Sequence, residues 1–157
     1  MTYPSGTLVK DRIVLDIKST LEAIASPTNH TTVVSVRRYG VDNPFFAFNA
    51  QEFPAIIISP VDVTRSNTVA GELTCEMNLT ARCMVFDRET FASELEWFAA
   101  DVQQSLLVDH TRGGDAWDTH VFAEDIAQPE DVSGLAYVDV SIRVRFAHLY
   151  ADPTTPI

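Results

Sequence analysis

Little in this chain advertises chemistry. Two cysteines, four histidines, two tryptophans and six glycines are spread over 157 residues. There is no Gly-x-Ser-x-Gly turn, which excludes the nucleophile elbow of serine hydrolases. Neither a Walker-type loop nor a Gly-x-Gly-x-x-Gly run occurs, which removes the two commonest phosphate cradles. Gly113-Gly114 reads as a turn, because no strand pattern feeds it and no helix pattern follows. Cys75 and Cys83 point the same way along one extended segment, ~27 Å apart. A disulfide tolerates Cα atoms at most ~7 Å apart, so these are buried thiols and not a bridge. His30, His110, His120 and His148 make no paired zinc-ligand spacing. Asp109-His110 and Asp118-Thr119-His120 could in principle share a metal, but ordinary loop residues give the same pattern. No catalytic residue and no cofactor is expected.

Long apolar runs are missing too. None approaches the ~20 residues that a membrane-spanning helix needs, so no membrane partner is expected. Residues 1–10 lack the basic and apolar regions of a signal peptide, and the expected compartment is a cytosol. Positive charge is also scarce, with 11 Lys and Arg against 22 Asp and Glu. Tight binding to a phosphate backbone, which requires clustered Lys and Arg, is therefore disfavoured. The one adjacent basic pair, Arg37-Arg38, points to opposite faces of a strand. Glu124-Asp125 and Glu130-Asp131 lie in polar stretches without the apolar pocket that raises a catalytic carboxyl's pKa. The excess charge is concentrated, since residues 87–131 sum to −10 of the total −11. Such a run ordinarily forms a solvated face; the alternatives are a surface that repels a polyanion or one that docks on a basic partner.

What is present is strand periodicity. Odd positions 73–85 read Leu, Cys, Met, Leu, Ala, Cys, Val, and even positions 138–146 read Val, Val, Ile, Val, Phe. A period of two held that long marks strands with one buried and one wet face. Val9, Ile13, Ile17, Leu21 and Ile24 form one helical stripe over 8–25, and Phe91, Leu95, Phe98, Val102 and Leu106 form another over 87–108. Asp87 is the expected N-cap of the second helix. Weaker strands are read at 32–39 and 117–126. A short Ile run at 54–60 suggests burial on both faces and is bounded by Pro54 and Pro60. Residues 61–71 are polar and read as a long, mobile hairpin loop, and 151–157 as an extended, loose tail. The Phe45, Phe46 and Phe48 loop is expected to plug the edge of a core. The expectation is a single α+β domain, 1–157. Its antiparallel or mixed sheet would carry two main helices on one face, in the order α-β-β-β-α-β-β.

Two strands of 14 and 16 residues exceed the usual five or six. Either a bulge divides them, or their ends and the 61–71 loop serve neighbouring subunits. This order of elements resembles the tail terminator proteins of long-tailed bacteriophages. The matching segments are Phe53-Pro54-Ala55-Ile56-Ile57-Ile58, the alternating 72–86 strand, the helix ending at 101–109, and Asp139 to Phe146. The resemblance implies a homo-oligomer, a hexameric ring that caps the tail tube protein and joins it to the head or neck connector. DNA would pass through the lumen without specific binding, and the location would be the virion tail or neck after assembly in the host cytoplasm. Another neck or head-completion protein is the related alternative. The candidate subunit or tube interface is Asp62, Arg65, Ser66, Asn67, Arg112 and Asp115. The candidate acidic surface is Glu94, Asp101, Glu124, Asp125, Glu130 and Asp131. Two rival readings remain: a ligand pocket around Trp117, His120 and the Phe45–Phe48 loop, and an acidic adaptor using residues 87–131.

Overall fold

Fifteen consecutive residues of one strand face fifteen of another at the centre of the molecule, and the other elements are arranged around that pairing. The computed structural model describes residues 7–42, 48–69, 71–129 and 134–157, with the backbone alone at 67–69. The elements are α1 (Val9–Glu22), β1 (Ser35–Arg38), β2 (Ala55–Val69), β3 (Glu72–Phe86), α2 (Phe91–Val108), β4 (Asp118–Ala127), β5 (Leu135–Leu149) and β6 (Asp152–Pro156). The six strands form one sheet in the order β1-β2-β3-β5-β4, with β6 beside the end of β5. β1 runs parallel to β2 and every other pair is antiparallel. The fold is α+β with a mixed sheet, in the expected order of elements plus one terminal strand.

The period-two residues decide which face is buried. Cys75, Met77, Leu79, Ala81, Cys83 and Val85 of β3 lie beside Val138, Val140, Ile142, Val144 and Phe146 of β5, all buried. Against them pack Val9, Ile13, Ile17 and Leu21 of α1 and Leu95, Phe98, Val102 and Leu106 of α2. Both cysteines are free and buried. The opposite face is wet along its middle. At the end near Phe86, Phe53 stacks on Phe86 at 5.5 Å and Phe48 lies 5.6 Å from Phe53. Phe45 and Phe46 fall outside the described residues.

Four expectations change. Residues 61–71 are not a loop, since β2 continues through Pro60 to Val69 and pairs with β3 as far as Val69 opposite Glu72. Irregularities at Pro60/Asp62 and Ser66/Val69 absorb the proline and the polar sequence. Gly71, at φ 84°, lies between the two strands in a backbone region where a Cβ would be strained. The tail is a strand, with the Ile157 N–H donating to the Ala147 carbonyl. Asp87 does not cap α2. It sits at φ 57° with its N–H on the Gly134 carbonyl, and the helix begins later, behind Thr90. Finally, the Ile run is not buried on both faces: Ile56 and Ile58 are fully buried, whereas Ile57 is only half-buried on the other side.

That alternation gives a direct test. Ile58→Ala should cost roughly 2–5 kcal/mol through lost burial and a residual cavity. Ile57→Ala should cost clearly less. Urea midpoints of the two variants check the difference, and equal losses would mean that both faces carry core.

Candidate assembly surface

The distal half of the β2–β3 hairpin is built unlike the rest of the sheet. β1 pairs only with Ala55–Ile58, and the last bond on that side runs from the Tyr39 N–H to the Ile58 carbonyl. From Ser59 to Val69 the outer edge of β2 has no strand partner among the described residues. Residues 60–66 are exposed except Val63. Asp62 accepts from the Asn78 amide at 2.7 Å, Arg65 stands opposite Cys75, and Ser66 stands opposite Thr74. Asp62, Arg65 and Ser66 therefore share one arm, the distal half of β2, with Asp62 and Ser66 on the wet face and Arg65 on the helix face. Asn67 lies on the same strand, but its side chain is outside the described set.

Beside the arm, the wet face of the sheet is a lattice of cross-strand charge. Arg82 donates to both Asp139 oxygens at 2.9 and 3.0 Å, a forked pair that holds the guanidinium even more firmly protonated. Glu76 receives Arg143 at 3.3 Å and Arg145 at 3.4 Å. Arg82 covers the Tyr137 ring at 4.0 Å, and Arg143 covers Phe122 at 4.6 Å. These contacts went unpredicted, although Arg143 and Arg145 alternating on one strand and Glu72 and Glu76 on another were the available signal.

Two of the expected interface residues belong elsewhere. Arg112 is not on the surface: its side chain is fully buried between α1 and the end of α2. It donates to the Leu106 and Asp109 carbonyls and pairs with Asp16 at 3.2 Å. The guanidinium thus satisfies C-terminal helix carbonyls and opposes the helix dipole, while its Nε has no partner among the described residues. Burial lowers the guanidinium pKa, and the same burial raises that of Asp16, with Arg112 pulling Asp16 the other way. Asp115 is half-buried and pairs with Arg12 at 3.3 Å.

The expected acidic surface also breaks up. Asp101 is buried, because its two oxygens accept the His30 and Thr31 N–H groups at 3.2 and 2.7 Å and tie that loop to α2. Glu94 is half-buried near Arg88. Glu124 and Asp125 are exposed at the end of β4, and Glu130 and Asp131 lie outside the described residues. The acidic stretch 87–131 is therefore not one uniform face.

Nor do Trp117, His120 and Phe48 converge on a pocket. The Trp117 N–H meets the Arg145 carbonyl and His120 faces Arg143. Phe48 instead sits by Arg37, at the opposite end of the sheet. Asp118 lies between His110 at 3.4 Å and His120 at 2.5 Å. Among the described residues, however, no group of three His, Cys, Asp or Glu is arranged to hold a metal ion.

No family model matches the chain, and no curated protein matches it. Among solved structures it is similar to a chain of the virion of a native gene transfer agent particle. The superposition covers 88% of this chain and 90% of that chain, with 10% identity and a TM-score of 0.39. A likeness that loose carries no functional argument.

Asp109 supplies a pH test of this region. The Thr111 hydroxyl and the Gly113 and Thr111 N–H groups hold its carboxyl below the ordinary value of 3.8. The folded chain therefore binds that proton more weakly than the unfolded chain. The stabilisation is present above the ordinary value and is lost as pH falls through the lower, folded one. Asp109→Asn should make urea stability decline less steeply below pH 3.8 than in the wild type. An unchanged acid limb would show that this turn does not contribute.

Proposed function

We propose that this chain is a ring-forming structural subunit of a phage-like tail: the terminator that caps the tail tube and joins it to the neck. On this reading copies associate side by side, most simply as a hexamer, and DNA passes through the lumen without being specifically bound. The partners are the tail tube protein and the connector, and the location is the virion. No catalysis is assigned to it.

The observation that carries the reading is the distal half of β2 in the β2–β3 arm, which is largely exposed and has no strand partner on its outer side among the described residues. Edges of that length are usually covered, shortened or used. The order of elements and the strand segments that resemble tail terminators supply the type of assembly. The charge balance supports the passage of DNA: with a net charge of −11, much of this surface repels a polyanion. A head-completion or other neck subunit would share every feature except its position along the particle.

The test is to add the purified chain to tail tubes that lack a cap and to image the ends in negative stain. Rings seated on tube ends are expected. Protein that stays monomeric in light scattering at high concentration, and leaves the ends bare, would remove the reading. Deleting residues 66–70 should weaken capping while melting curves verify that the variant folds. Capping at full strength would show that the arm tip is idle.

A further inference from the structure

Cations are the limiting charge in this molecule, and where they go unpaired is informative. Of 11 basic side chains, nine (Arg12, Lys18, Arg37, Arg38, Arg82, Arg88, Arg112, Arg143 and Arg145) sit in ion pairs with carboxylates. Among the described residues Lys10 and Arg65 make no ion pair, and both line the same crevice. It encloses about 200 Å³ and is completed by Leu8, Phe146, His148 and Pro153. None of these is acidic. Asp152, whose carboxylate His148 influences, is already held by the Thr154 and Thr155 hydroxyls. The crevice thus presents two exposed or half-exposed cations above an apolar floor, on the helix side of the sheet beside the distal half of β2.

At the diagonally opposite corner, β4 ends in Glu124, Asp125 and Ile126. All three are exposed, and neither carboxylate has an ion-pair partner among the described residues. Glu124 and Ile126 pair with Val140 and Val138, so they lie on the same face of the sheet as Phe146. Eight strand residues separate Val138 from Phe146, ~27 Å. One chain cannot bring its own acidic strand end to its own basic crevice.

We propose that the crevice receives the end of β4 from a second copy of this chain. Glu124 would pair with Lys10 and Arg65, and Ile126 would rest on Leu8, Phe146 and Pro153, while Asp125, opposite Asp139, faces the other side of the sheet. The contact rests on the ring reading and supplies its seam. It joins two different patches, so it repeats head to tail and closes into a ring when the rotation allows. A phosphate group would suit the cations but would leave the apolar floor unused, whereas an acidic strand end carrying isoleucine uses both.

The experiment reverses charge on each side separately. K10E with R65E, and E124K, should each weaken association by about 10-fold, since every seam then opposes like charges. Mixed in equal amounts, the two variants should recover wild-type size in sedimentation velocity, because alternating copies restore opposite charges at every seam. As a readout that does not depend on charge, R65C combined with E124C should give a ladder of disulfide-linked oligomers on oxidation. Wild-type protein that assembles while both reversed variants assemble equally well would overturn the seam and leave the ring reading standing. Wild-type protein that stays monomeric even with tube ends would end both. Normal assembly by K10E/R65E with loss of inorganic polyphosphate binding would reassign the crevice to phosphate and overturn the proposal. Melting curves verify that each variant folds, and a monomer-only result for the cysteine pair would also overturn it.

Discussion

The fifteen-pair ladder between β3 and β5 sets the dimensions of everything else. It runs from Glu72 opposite Leu149 to Phe86 opposite Leu135 without a register shift. An uninterrupted antiparallel pair of that length extends ~50 Å. The helices available to cover it are 14 and 18 residues long, or ~21 and ~27 Å at the α-helical rise. Neither helix alone matches the strand length, and the apolar side of the pair is nonetheless buried from Cys75 to Val85 and from Ala136 to Phe146. Coverage goes to the apolar side of the central pair, and the hairpin end of β2 is left in water.

Charge is distributed under a comparable constraint. With half as many cations as anions, the sheet's wet face takes three arginines, Arg82, Arg143 and Arg145, and neutralises them across strands. Asp125 stands directly opposite Asp139, a like-charge pairing that would be unfavourable alone. Asp139 is occupied by Arg82, which leaves Asp125 as the member without a cation. Inside, Arg112 and Asp101 perform the reverse task, using buried charge to satisfy backbone groups at the end of α2 and in the loop before β1. Removing one member of such an arrangement strands the other, which is why buried charge of this kind is costly to break.

How much of this was legible follows from which elements bury a face. The helix stripes and the β3 and β5 alternation are written in the sequence, because each has one dry side and one wet side. Past Pro60, β2 was not legible as a strand. Its residues are exposed, so nothing in its composition alternates, and Pro60 argues against a ladder that in fact bends around it at a bulge. The closing strand β6 was hidden for a similar reason. Asp152-Pro-Thr-Thr-Pro reads as tail, and its pairing depends on the distal end of β5 being free. Asp87 carries the chemistry of a cap, but the turn on to Gly134 claims its backbone first. At the candidate surface, Asp62, Arg65 and Ser66 fall on one strand, β2, although their polar sequence reads as a loop. Side-chain type misplaced Arg112, because an arginine in a glycine-rich turn gives no sign that helix carbonyls will bury it.

The two open edges of the sheet also constrain how copies can meet. β2 is irregular at Pro60/Asp62 and β4 at Val121/Ala123. Bulges and prolines on edges interrupt the regular row of donors and acceptors that an incoming strand requires. Pro60 has no N–H to offer at all. Continuous strand-on-strand addition along either edge is therefore obstructed by the same irregularities that protect the monomer from aggregation. Side-chain recognition is not obstructed. The bulge at Phe122 precedes the exposed Glu124 and Asp125, and the bulge after Pro60 precedes the exposed Arg65. Edges arranged in this way block indiscriminate pairing while leaving charged groups beyond each break, and that favours a specific, charge-matched contact over an open-ended β-stack.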